Sequence, residues 1–179
     1  MLQLVSGFSG VKSVQPFAAS VSIPTGWYSA AQDITLSAAV DPTQAFVILN
    51  SIHPLHPNRG FGVGAQVLNA TTIRLNVQGG AGDPIAIVPI KGCVVEPRQV
   101  KSLQSVITGS NTADNYVTIN SVNPAKAFLV MAGFANGVNV GLNVQMAASL
   151  YSATQVLFQV SNSQGAYLNM IRCQIIEMR

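Results

Sequence analysis

The chain repeats itself in order. Val11-Lys12-Ser13-Val14-Gln15 returns as Val100-Lys101-Ser102-Leu103-Gln104, and Ile34-Thr35-Leu36-Ser37 returns as Val117-Thr118-Ile119-Asn120. The run from Val40-Asp41-Pro42 through Phe46-Val47-Ile48-Leu49 returns as Val122-Asn123-Pro124 through Phe128-Leu129-Val130-Met131. Thr72 to Val77 then matches Gln155 to Val160, and Ile90-Lys91 through Val94-Val95-Glu96 matches Ile171-Arg172 through Ile175-Ile176-Glu177. A period of roughly 80 to 90 residues is too long for a solenoid turn and long enough for one modest core, so the sequence predicts two copies of one small domain in tandem. The first occupies residues 1–97 with an N-terminal segment, and the second occupies 98–179. Pro97-Arg98-Gln99 forms the seam, too short to let the copies tumble freely.

Each copy reads as β. Ile73-Arg74-Leu75-Asn76-Val77, Val156-Leu157-Phe158-Gln159-Val160, Phe61–Val67 and Val138–Met146 alternate apolar with polar or small residues, as strands with one wet face do. Ala45–Leu49 and Ala127–Met131 are continuously apolar and read as central strands covered on both faces. Asp41-Pro42-Thr43-Gln44 and Asn123-Pro124-Ala125-Lys126 place Pro second in a turn behind an Asx side chain able to accept a backbone hydrogen bond. Gly79–Pro84 and Ser161–Gly165 separate the next strands. Five or six strands per copy and no amphipathic helix predict an all-β chain of two tandem antiparallel β-sandwiches, or partly open barrels, related by internal duplication.

Composition narrows the function classes. The chain is 49% hydrophobic and 8% charged, with mean hydropathy +0.38. Small domains bury a lower fraction of their surface, so this much apolar content predicts further burial between subunits. No uninterrupted apolar stretch approaches the roughly 18 residues of a spanning helix, and the N-terminal stretch lacks the basic leader of a secretory signal, so no membrane partner is expected. The pI near 9.1 reflects scarce acids, with nine Lys and Arg residues spread along the whole chain. No nucleic-acid partner is expected, because such a binder clusters its cations on one face.

The string from Val117-Thr118-Ile119-Asn120 through Asn123-Pro124-Ala125-Lys126-Ala127-Phe128-Leu129-Val130, closed by Cys173-Gln174-Ile175-Ile176-Glu177, resembles a small β-sandwich repeat of virion proteins of tailed bacteriophages. The second copy matches over most of its length. The first is looser, with Asp41-Pro42-Thr43-Gln44 at the turn and longer loops. The resemblance implies a structural accessory part of a tail, fibre or capsid, assembled in the host cytoplasm.

Candidate chemistry is sparse. His53 and His56 share a Pro-flanked loop with Leu55 and Arg59, but no Cys, Asp or Glu lies beside them to complete a tetrahedral set. The loop reads as exposed, with Leu55 as an interface anchor. Aligned on Glu96 and Glu177, Cys93 falls opposite Gln174 and Cys173 opposite Gly92. That offset of one residue reverses the facing direction in a strand, so free buried thiols are expected instead of a disulfide. Glu96 with Lys91, and Glu177 with Arg172, read as ion pairs near the ends of the closing strands. No nucleophile and base stand together, so no catalytic residue, metal or cofactor is expected. Trp27 and Tyr28, in a segment that the second copy lacks, are the aromatic candidates for a protein neighbour or a sugar ring.

The expected function is therefore that of a non-enzymatic virion component. It would form a trimer or larger ring of identical chains and dock to another virion protein of tail, neck or capsid. The alternative is a lectin-like module that binds host-surface glycan through Trp27, Tyr28 or the His53 loop.

Overall fold

The computed structural model describes residues 10–24, 29–52, 61–78, 86–110, 114–136, 145–161 and 169–179. Alternation governs the local structure. From Pro16 to Ile23 the exposed Pro16, Ala18, Ser20 and Ser22 interleave with buried Phe17, Val21 and Ile23 and half-buried Ala19, the period of two that only an extended strand satisfies. The first six strands are β1 (Val11–Ile23), β2 (Ser29–Thr35), β3 (Phe46–Ile52), β4 (Phe61–Asn69), β5 (Thr72–Gln78) and β6 (Ala86–Pro97). The next six are β7 (Val100–Ser110), β8 (Asn115–Thr118), β9 (Ala127–Asn136), β10 (Gln145–Ser152), β11 (Gln155–Ser161) and β12 (Asn169–Met178). No helix occurs among the described residues, and every strand pair is antiparallel.

The second six strands repeat the pairing order of the first. β6 lies between β1 and β3, as β12 lies between β7 and β9. β5 lies between β2 and β4, as β11 lies between β8 and β10. In the first half the two layers enclose Phe17, Val21, Val47, Ile73, Leu75, Ile90 and Val94. In the second they enclose Val156, Phe158, Ile171, Cys173 and Ile175. The all-β sandwich reading holds, with two cores.

Volume is balanced differently in the two cores. Phe17 pairs with Gly92 on β6, where an added Cβ would lie 2.6 Å from the Phe17 ring and 2.4 Å from the Ile48 carbonyl oxygen. At the matching place Val106 pairs with Cys173. A large residue over none, or two of middle size, fill the same depth.

The halves are joined by more than contact. β4 pairs with β9 in the register Phe61–Asn136, Gly62–Ala135, Val63–Phe134 and Gly64–Gly133, which makes one sheet of order β2-β5-β4-β9-β12-β7 across the molecule. A third apolar layer of Phe46, Val100 and Ile176, flanked by Ile48, Val95, Leu103, Val130 and Met178, fills the space beneath this junction. At about 1.5–3 kcal/mol for each fully buried large apolar side chain, the three central residues alone hold the halves against free rotation.

This layer corrects the expectation for the two apolar runs. β3 is an outer strand of its sheet, and β9, which lies mid-sheet between β4 and β12, is not covered on both faces. The outward-facing Phe46 and Ile48 are apolar because they meet the other half, and Phe128 at the matching place of β9 remains 42% exposed.

Candidate interaction surface

Trp27, Tyr28, His53, Leu55, His56 and Arg59 lie outside the described residues, as do the loop 79–84 and most of Val138–Met146.

The repeated motif proves to be a structural clamp. Lys12 Nζ donates to Glu96 Oε1 at 2.7 Å and Ser13 Oγ to Oε2 at 3.4 Å, and the backbone N–H of Asp41 donates to Oε1 at 3.1 Å. In the second half Lys101 Nζ donates to Glu177 Oε1 at 2.9 Å, Ser102 Oγ to Oε2 at 3.1 Å, and the N–H of Asn123 to Oε1 at 2.9 Å. Both carboxylates are nearly closed to water, at 2% and 1% exposure. A buried carboxylate persists only with such a set of donors.

The glutamine of the motif has an equally local task. Gln15 Nε2 donates to the Ala38 carbonyl at 2.9 Å while its Oε1 accepts from the Ala38 N–H at 3.0 Å. Gln104 does the same to Asn120 at 3.0 and 2.8 Å. Each amide thus pairs with a non-strand segment that leads into the proline turn. The turns have the expected form: the N–H of Thr43 donates to Asp41 Oδ1 at 2.9 Å, and that of Ala125 to Asn123 Oδ1 at 3.0 Å.

The expected ion pairs of Glu96 with Lys91 and Glu177 with Arg172 do not form. Residues five apart on a strand are separated by roughly 16 Å and face opposite sides. Lys12 and Lys101 come instead from the neighbouring strands, which the register brings beside each carboxylate. Arg172 donates from Nη1 to Gln66 Oε1 across the junction between the halves.

Glu177 carries a pH dependence. The Lys101 ammonium above all, and then the Asn123 N–H, hold its carboxyl below its ordinary value of 4.5, against the opposing effect of burial. The folded form binds this proton more weakly than the unfolded form does. Its stabilising effect is therefore complete above the ordinary value and is lost as pH falls through the folded one. Thermal midpoints measured from about pH 7 to about pH 3 should fall on the acid side, and Glu177→Gln should flatten that limb. An unchanged acid limb in the variant would contradict the assignment.

The cysteines are free. Cys173 sits in the second core and Cys93 is half-buried, in keeping with the one-residue offset. Burial pushes the Cys173 thiol up to about 12, and raises Cys93 as well against a hydrogen bond with Asn50. At neutral pH a thiol this high is not a nucleophile. An alkylating reagent should therefore label Cys173 only after denaturant is added, and labelling in the native chain would contradict its burial. Among the described residues no three of His, Cys, Asp or Glu gather where a metal ion could be held.

With its buried acids occupied in clamps, the chain presents faces of unequal character. In the first half Arg74 spans to Asp33 with two hydrogen bonds of 2.7 and 2.9 Å across β2 and β5. The register equivalents in the second half are Leu157 and Tyr116, and Tyr116 meets Tyr151 edge to face at 4.9 Å. Both tyrosines are about half exposed, as are Ile87, Ile107, Phe128 and Met131. Single exposed apolar residues are ordinary, so the aromatic pair and the phenylalanine beside the junction stand out only as places where large rings meet water. Sequence reasoning missed Tyr116, Tyr151 and Phe128 as surface residues. For Tyr116 the signal was the loss of the Asp33 and Arg74 charges at the matching places of the second half.

Comparison of the chain with family models, with curated proteins and with solved structures finds no match to any of them.

Proposed function

We propose that the chain is a non-catalytic structural component of a tailed-phage particle, two copies of a duplicated sandwich module that pack against copies of the chain and against another virion protein of tail, neck or capsid. The observation that carries this reading is how the charged groups are used. Glu96, Glu177, Lys12, Lys101, Asp33 and Arg74 satisfy one another within the chain, while large apolar side chains stay half exposed. Such a surface associates through packing and is little affected by ionic strength. The phage context rests on the sequence resemblance given above.

A second reading, a glycan-binding host adhesin, is favoured by the exposed Tyr116–Tyr151 pair on a neutral sheet face, since aromatic faces suit sugar rings. The two are separated by locating the chain in imaged particles and by glycan arrays. The structural reading expects the chain in the particle and no glycan bound. Glycan binding abolished by Tyr151→Ala or Trp27→Ala would overturn it in favour of the adhesin.

A further inference from the structure

The cations are scattered in the sequence, but the fold gathers five of the nine Lys and Arg residues at one pole of the molecule. β6 ends at Pro97 just before β7 begins at Val100, so the end of the first half that carries Lys12 and Glu96 abuts the end of the second that carries Lys101 and Glu177. A run of hydrogen bonds joins the two ends. Arg98 donates from its backbone N–H to the Gly10 carbonyl at 2.9 Å and from Nε to the Val11 carbonyl at 3.3 Å, beside Lys12. The Arg179 N–H donates to the Gln99 carbonyl at 2.9 Å, and the Met178 N–H to the Lys126 carbonyl at 2.9 Å. β7, β12 and β9 are neighbours in one sheet, so the backbones that carry Lys101, Arg179 and Lys126 span roughly 10 Å at the usual strand spacing.

The acids of this pole face inward and its cations face out. Glu96 and Glu177 are 2% and 1% exposed, whereas the Lys12 and Lys101 side chains that clamp them are 56% and 60% exposed. Asp41, the third acid here, is half-buried, and its carboxylate accepts from Thr43 and Gln44. Arg98, Lys126 and Arg179 are exposed and form no ion pair among the described residues. Water at this pole therefore meets positive charge. Elsewhere among the described residues Arg74 is neutralised by Asp33, Arg172 is half-buried against Gln66, and Lys91 stands singly.

We propose that this pole is a docking site for an acidic protein segment, whose carboxylates are received by Lys12, Arg98, Lys101, Lys126 and Arg179. Charge complementarity sets the sign of the partner. The surroundings set its kind. Phe128, two residues beyond Lys126, is 42% exposed and offers a contact that an apolar peptide side chain can fill and a phosphate backbone cannot. Two of the five cations also share their charge with a buried carboxylate, which leaves less for a polyphosphate than a short carboxylate-bearing segment needs. The site goes beyond the structural reading and is separate from it, since docking here weakens with salt while packing of neutral faces does not.

Fluorescence anisotropy of the full chain with a labelled peptide of Glu-Glu-Leu repeats tests this, beside the same peptide with Gln in place of Glu and a labelled DNA duplex. The Glu peptide should bind and the Gln peptide should not, and raising salt from about 50 mM to about 500 mM should weaken binding at least about tenfold. The double variant Lys126→Gln, Arg179→Gln should bind the Glu peptide at least about fivefold more weakly. The double variant Arg74→Gln, Lys91→Gln, which has the same net charge, should match the unmodified chain. Circular-dichroism melts verify that both variants fold, and Arg98→Gln takes the place of Arg179→Gln should the first melt earlier. No binding of the Glu peptide, equal loss in the two double variants, or tighter binding of the DNA duplex overturns the proposal. None of these results bears on the structural reading, which is tested by locating the chain in particles.

Discussion

Phe158→Ala is expected to lower the stability of the chain by about 3–5 kcal/mol, measured as a shift of the denaturant midpoint at unchanged slope. Phe158 is fully buried and among the largest side chains in the second core, where it packs with Val156, Ile171, Cys173 and Ile175. The cavity left behind is walled by strands held on both sides, since β11 lies between β10 and β8, so the site cannot collapse to fill it. Domains of this size are stable by about 5–15 kcal/mol, so the loss is a large fraction of the whole. A change of less than about 1 kcal/mol would mean that this core is not packed as described.

Gly133→Val should open the seam between the halves. A Cβ here points into the backbone of β4, with Gly64 Cα and the Val63 carbonyl oxygen both at 2.5 Å, and backbone on a paired strand cannot move aside as a side-chain tip can. The expected loss is about 1–3 kcal/mol from overpacking. It should come with faster amide exchange in β4 and β9 while the amides of β5 and β11 stay protected. Gly64→Ala is the control: its Cβ meets open space, so it should behave close to the natural chain.

The chain's internal repetition made the element order legible before any coordinates. Val11-Lys12-Ser13-Val14-Gln15 and its second occurrence mark β1 and β7, and the two Asx-Pro turns mark the entries to β3 and β9. The motif's purpose was not legible, because Lys12 reaches Glu96 only through the register of β1 on β6, a long-range pairing that spacing along one strand does not encode. The same limit applies to the apolar runs at Phe46 and Phe128. Periodicity reports that both faces of a strand are apolar, but not whether the second face meets its own sheet, the other half or another molecule. The β4–β9 seam depends on backbone edges that leave little trace in side-chain pattern; the close approach at Gly133 is its one sequence sign. As for the surface, Trp27, Tyr28 and the His53 loop drew notice for their residue types, whereas Phe128 stood in a run that read as covered on both faces and Tyr116 and Tyr151 drew no reading.

A single sheet running through both halves by way of β4 and β9 is the central claim. Through-space proton contacts in the NMR spectrum of the dilute chain test it most directly. Cross-strand contacts between Gly62 and Ala135 and between Gly64 and Gly133 are predicted, in the register of the β4–β9 pair. Their absence, with the two halves relaxing as separately tumbling bodies, would contradict the account.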